Sequence, residues 1–132
     1  MTIKVLDSYA LIAFFEDEPG AETVEALILK AEENSVELAM SVVNLGEVWY
    51  SIARRTSSSV ADEYLAEIQG MAIEVMDVNW ELTRLAAEYK SKGKISYADC
   101  FAAALATRYK AALITGDKEF KTLEDEIKIE WI

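Results

Sequence analysis

I-S-Y-A-D-C-F-A-A-A-L-A-T-R-Y-K-A-A-L-I-T-G-D, residues 95–117, decides the fold. Tyr97 to Tyr109 has helical spacing, with Phe101, Ala104 and Leu105 on one face. After the short join Tyr109-Lys110, the apolar run Ala111 to Thr115 reads as a buried strand. If that strand is parallel to its neighbours, the helix feeding it starts back at their carboxyl edge. Asp99 near the helix start and Asp117 after the strand are therefore predicted on one rim.

The rest of the chain repeats the pattern. Ile3 to Leu6, Val36 to Met40, Ile73 to Val78 and Ile127 to Ile132 read as further strands, the last at an edge. Between them, Ala21 to Glu33, Leu45 to Arg55, Val60 to Gly70 and Trp80 to Lys90 have a period near 3.6. Gly20, Gly70, Gly93 and Gly116 punctuate the joins, and Ser57-Ser58-Ser59 reads as a loop between helices. Strands alternating with helices predict an α/β domain around a five-stranded, mainly parallel sheet flanked by helices. In such a sheet ligands bind outside the carboxyl ends of the strands.

The composition sets the bounds. At 132 residues the chain is expected to form one domain, residues 1–132. It has no histidine, which excludes histidine triads, histidine general bases and histidine zinc sites. A lone cysteine, Cys100, cannot close an intrachain disulfide, which points to a reducing, cytoplasmic setting. The longest apolar runs, Tyr9 to Phe15 and Cys100 to Ala106, fall far short of the ~20 residues of a membrane span. No signal peptide is expected at Met1-Thr2-Ile3-Lys4. The net charge of −11 is unevenly spread. Residues 1–53 carry ten acids and two bases, whereas residues 90–121 carry seven bases and three acids.

Four acids fall at the predicted carboxyl edge. Asp7 follows the first strand, Glu47 lies early in the helix after the second, Asp99 opens the helix before the fourth, and Asp117 follows the fourth. Each has a local alternative, because Asp7 and Asp117 suit helix N-caps and Ser96-Tyr97-Ala98-Asp99 and Asn44-Leu45-Gly46-Glu47 resemble capping boxes. Capping does not require all four on the same rim. Carboxylates at ~4–6 Å repel unless a cation intervenes, and oxygen ligands alone select a hard ion, Mg²⁺ or Mn²⁺. Such an ion activates water and offsets charge on a phosphodiester without any histidine. Arg54, seven residues after Glu47, together with Lys94 and Lys118 beside the acids, are the candidate phosphate contacts.

V-L-D-S-Y-A-L-I-A-F-F at 5–15, N-L-G-E-V at 44–48, I-S-Y-A-D-C-F-A-A-A-L-A at 95–106 and L-I-T-G-D-K-E-F at 113–120 resemble the PIN-domain ribonucleases. Among these the likeness is greatest to the VapC-type toxins of toxin–antitoxin modules. The resemblance implies a three-layer PIN-like fold and Mg²⁺- or Mn²⁺-dependent cleavage of RNA with a 3′-hydroxyl leaving group. Single-stranded or loop RNA is the expected substrate because its phosphates bend into a recessed site. By position, Asp7 and Asp99 match the principal metal ligands, and Glu47 and Asp117 match the acids that complete the site. Ser8 and Thr115 match hydroxyls that orient carboxylates or solvent. Asn44 and Ser96, ahead of Glu47 and Asp99, are grouped with them as supporting residues. The resemblance also implies a homodimer and a small antitoxin partner, and the short apolar runs predict no membrane association.

Three other readings compete. A PIN fold also serves RNA processing, or binding without catalysis. Carboxylates and metal alone do not distinguish RNA from DNA. A phosphoacceptor receiver domain is likewise small, acidic and α/β, with Asp77 as the acceptor, but it requires a lysine after a fifth strand that here runs to Ile132.

Overall fold

A computed structural model describes residues 2–132. Among these residues the chain forms five strands and six α-helices. The strands are β1 (Ile3–Leu6), β2 (Glu37–Ser41), β3 (Ile73–Met76), β4 (Ala112–Thr115) and β5 (Ile129–Trp131). The helices are α1 (Ser8–Phe15), α2 (Ala21–Glu32), α3 (Val42–Arg55), α4 (Ser58–Gln69), α5 (Trp80–Lys92) and α6 (Tyr97–Tyr109). A short 3-10 helix spans Lys118–Leu123. The sheet order is β3-β2-β1-β4-β5, and every neighbouring pair is parallel.

Side-chain alternation along the central strands divides the core into two halves. Val5, Ala39 and Leu113 face one way and pack with α5 and α6 residues such as Leu82, Ala86 and Leu105. Leu6, Leu38, Met40 and Ile114 face the other way, among Leu11, Val24 and Ile52 of α1 to α3. Helices thus cover both faces, and the sheet is the middle of three layers. Helix α6 supplies an almost unbroken buried run from Asp99 to Ala106. Its alanines let the backbone approach the sheet closely, and Cys100 among them is a buried free thiol. Among the described residues no helix is long and apolar enough to cross a membrane.

The predicted elements are present, with shifted ends. The largest difference is at α3, which starts at Val42 rather than Leu45. The buried Ser41 hydroxyl accepts the Val43 amide at 3.2 Å and caps the helix, so Asn44-Leu45-Gly46-Glu47 is helix interior rather than a capping box. Helix α4 is capped by Ser57, which accepts the Val60 amide at 3.2 Å. Ser58 and Ser59 are therefore helical rather than looped.

The chain begins at the centre of the sheet, fills one side through β2 and β3, then crosses to β4 and β5 on the other. The order reverses between β1 and β4, and a crevice opens beyond their carboxyl ends. This order also excludes the receiver fold, whose sheet runs 2-1-3-4-5.

Candidate metal and nucleic-acid site

A cleft of about 540 Å³ lies at that crevice. Its acidic wall is made by Glu47, Asp99, Asp117 and Glu119. Asp99, Asp117 and Glu119 can each offer one carboxylate oxygen with all three within 4.8 Å of one another. These are hard donors with no nitrogen or sulfur among them, so the set fits Mg²⁺ or Mn²⁺.

Asp7, Asp99 and Asp117 are delivered by junctions between elements, and Glu47 by the interior of α3. Asp7 ends β1 and caps α1, where its Oδ1 accepts the Ala10 amide at 2.9 Å. Its Oδ2 accepts the Thr115 hydroxyl, which in turn accepts the Asp117 amide at 3.0 Å. Thr115, fully buried at the end of β4, therefore ties the first acid to the last. Asp117 caps the 3-10 helix by accepting the Glu119 amide at 3.0 Å. Ser96 caps α6 by accepting the Asp99 amide at 3.2 Å, and its side chain also favours the charged Asp99 carboxylate. The positive end of each helix eases the cost of holding these charges.

Asn44 is wholly buried in α3 and acts as a strut. Its Nδ2 donates to Glu47 Oε1 at 2.9 Å and to the Ala98 carbonyl at 3.1 Å, joining α3 to the first turn of α6. Turning the amide over would set its oxygen against two acceptors, so the orientation is determined. Its Oδ1 is buried without a partner among the described residues. Asn44→Ala is expected to cost about 1–2 kcal/mol in urea unfolding, because the Ala98 carbonyl loses its donor. Metal affinity should fall in the same variant as the Glu47 carboxylate is freed to swing. A variant with wild-type stability and metal affinity would show that the strut is idle.

Burial and crowding shift the two enclosed acids. Asp7 is 1% exposed, and burial pushes its carboxyl from 3.8 up to about 7, against the lowering effect of Thr115 and Ala10. Asp117 and Glu47 add repulsion. Asp99 is 5% exposed and is pushed up to about 8, first by burial and then by the charge of Asp117, with Asp7 and Glu47 contributing. Asp7 thus feels Asp117 and Glu47, and Asp99 feels all three of the other acids predicted from sequence. A cation here would remove the repulsion and restore both carboxylates to their charged form.

Of the supporting residues predicted, Ser8 and Ser96 line the cleft, while Asn44 and Thr115 lie behind it as described. The predicted phosphate contacts fare differently. Lys94 and Lys118 are exposed and do not line the cleft. Arg54 also lies outside it, its guanidinium 5.0 Å from the centre of the Tyr50 ring one helical turn back. The cation in the cleft wall is Arg55. Helical spacing alone favours Arg54 because seven residues is nearly two whole turns. The long side chains decide instead, one drawn to an aromatic face and the other to Glu16 and Glu18.

Glu119 is the acid that the sequence pattern does not single out. The available signal is its place two residues after Asp117, since an aspartate accepting the amide of residue i+2 folds that residue back beside itself. Tyr9 completes the floor. A methyl group at Gly116 would stand 2.3 Å from Tyr9 Cε1, so the ring lies directly on the backbone between Thr115 and Asp117.

The PIN domain family model matches residues 4–126. The chain belongs to the PIN-domain family. PIN domains are nucleases, and the acidic cluster lies where the parallel sheet of this one opens. Similar solved structures include VapBC2 from Rickettsia felis bound to a DNA fragment from its promoter, with 20% identity, 99% of each chain covered and a TM-score of 0.75. VapBC-1 from nontypeable Haemophilus influenzae matches at 18% identity over 98% of each chain, with a TM-score of 0.72. VapC20 from Mycobacterium tuberculosis, a sarcin-ricin loop cleaving toxin, matches at 18% identity. That match covers 90% of this chain and 93% of VapC20, with a TM-score of 0.71. At these identities the likeness is one of fold. No curated protein matches the chain by sequence.

Proposed function

We propose that this PIN domain is a Mg²⁺- or Mn²⁺-dependent endoribonuclease that cuts single-stranded or loop RNA, acting as the toxin of a toxin–antitoxin pair. The observation that carries the reading is the gathering of Asp99, Asp117 and Glu119 within ligand distance in a cleft that Glu47 also lines. Asp7 lies beneath them, bound to Thr115. When bound, the ion supplies activated water and offsets charge building on the phosphodiester.

The residues of the chain do the rest. Asp99, Asp117 and Glu119 hold the ion directly or through water, and Glu47, steadied by Asn44, takes the position beside them. Asp7 fixes the floor through its bonds to Thr115 and Ala10 and, once ionised, adds negative charge under the site. Ser8, which is buried, and Ser96, whose hydroxyl caps α6, line the cleft beside the acids. Arg54, Lys94 and Lys118 sit outside it, where they attract the RNA electrostatically.

Unpaired RNA is preferred because its phosphates bend into a recessed site and its bases are free to stack. The toxin role draws support from the VapBC complexes among the structural relatives and from the sarcin-ricin loop cleavage named for VapC20. A small antitoxin partner, a homodimer and a cytoplasmic setting belong to the same reading.

The test is cleavage of end-labelled single-stranded RNA and its DNA counterpart with Mg²⁺, Mn²⁺ or EDTA, beside identically purified Asp99→Asn. Metal-dependent cutting of RNA that disappears in the variant supports the proposal. Equal cutting by both proteins reveals a contaminant, and preferential cutting of DNA overturns the substrate assignment.

A further inference from the structure

We propose that Arg55 binds a phosphate of the RNA strand next to the one being cut, and that Glu18 and Glu16 hold its guanidinium until RNA displaces them. The inference rests on reading the chain as a ribonuclease. Among the described residues the cleft wall contains the acids described above, Glu18 and a single cation, Arg55. A polyanion entering such a wall needs a positive contact away from the acids.

Arg55 has that placement. It lies eight residues beyond Glu47 on α3, roughly 12 Å along the helix axis. A strand with its scissile phosphate at Asp99, Asp117 and Glu119 therefore reaches Arg55 with a flanking phosphate. The planar guanidinium fork suits that group, since it can give two parallel N–H bonds to phosphate oxygens.

The contacts Arg55 already makes are ones it can exchange. Its Nη1 lies 3.6 Å from Glu18 and 4.0 Å from Glu16, at the long end of ion pairing. Among the described residues its guanidinium makes no closed hydrogen bond, whereas Lys4 meets Glu130 at 2.8 Å. The Arg55 and Glu18 side chains are 47% and 44% exposed, so the pair is worth only about 0–1 kcal/mol. A phosphate offering two charge-assisted bonds outcompetes it. Glu18 sits beside Pro19, which restrains the α1–α2 turn and keeps the acid at the cleft mouth.

The experiment compares wild type, Arg55→Ala, Arg55→Lys, Glu18→Gln and the Arg55→Ala/Glu18→Gln double variant on a labelled single-stranded RNA with Mn²⁺. Binding is followed by anisotropy across a KCl series in the Asp99→Asn background. Arg55→Ala should raise KM about tenfold with kcat nearly unchanged, as expected for loss of a charge-assisted contact made equally in ground and transition states. The slope of log K against log salt should shrink by about 0.7, the signature of one single-strand phosphate released. Arg55→Lys should keep the slope and recover part of KM. Glu18→Gln should lower KM about twofold, and that gain should vanish when Arg55 is absent. Arg55→Ala with wild-type KM and salt slope, in a protein that cleaves normally, overturns this inference alone. A fall confined to kcat also overturns it, because Arg55 would then act in the chemistry. Wild-type protein that neither cuts nor binds the RNA overturns the ribonuclease reading and this inference with it.

Discussion

Asp99→Asn is expected to abolish metal-dependent cleavage, by at least about 10³-fold, while making the metal-free protein more stable at pH 8. The two effects have opposite signs because they arise from the same carboxylate. Asp99 is 5% exposed, and it stands beside Asp117 with Asp7 and Glu47 nearby. Burial and those charges push it from 3.8 up to about 8, so above pH 8 its ionisation works against folding. Asparagine has nearly the same shape and carries no charge. The Ser96 side chain is the hydrogen-bond partner that favours the Asp99 carboxylate, and its rotating hydroxyl can equally meet an asparagine Oδ1, so the substitution leaves no donor stranded. Raising a carboxyl pKa by one pH unit disfavours its charged form by about 1.4 kcal/mol. Removing that charge should stabilise the fold by one to a few kcal/mol and raise the metal-free melting temperature by about 5 °C or more. Calorimetry in EDTA measures the stability and the cleavage assay measures the activity. A variant that loses activity together with stability would show a structural role for Asp99 instead.

Metal affinity should climb with pH and level off above about pH 8, by as much as about 100-fold per pH unit below pH 7 and by about tenfold per unit between pH 7 and pH 8. Asp7 at about 7 and Asp99 at about 8 are both protonated in the metal-free protein at pH 6. Placing a divalent cation among them expels those protons, so up to two are released per binding event. Calorimetric titration in two buffers of different ionisation enthalpy counts them. The metal-free protein follows the opposite course. Both groups have folded values raised above their unfolded value of 3.8, so their contribution to stability is complete below pH 4. It is lost progressively as pH rises through about 7 and about 8. Metal affinity that stays level from pH 6 to pH 9 would show that neither acid gives up a proton to the ion.

Much of the site can be read along the chain, for a definite reason. Asp7 and Asp117 stand where β1 and β4 give way to helical turns, Asp99 lies in the first turn of α6 after the α5–α6 join, and such junctions are where hydrophobic periodicity changes. Once alternating strands and helices imply a parallel sheet, those junctions must gather along one edge. Asp7 also shows the limit of such reasoning. The family resemblance makes it a principal metal ligand, yet it lies beneath the cleft with both oxygens bonded to the protein, so its place in the site belongs to the proposal. The paired roles of Thr115 required the tertiary structure, because its partner Asp7 is 108 residues away along the chain.

The fold class, the alternation of elements and the edge on which the acids fall were determined by the sequence by itself. They depend on period, polarity and chain direction, which are local properties. Tertiary structure alone decided that Glu119 joins Asp99 and Asp117, that Arg55 rather than Arg54 enters the cleft, and that α3 is capped at Ser41. Those outcomes depend on where long side chains find partners and on which hydroxyl is buried at a strand end. Such choices are made by distances of a few ångströms between segments that meet only when the chain is folded.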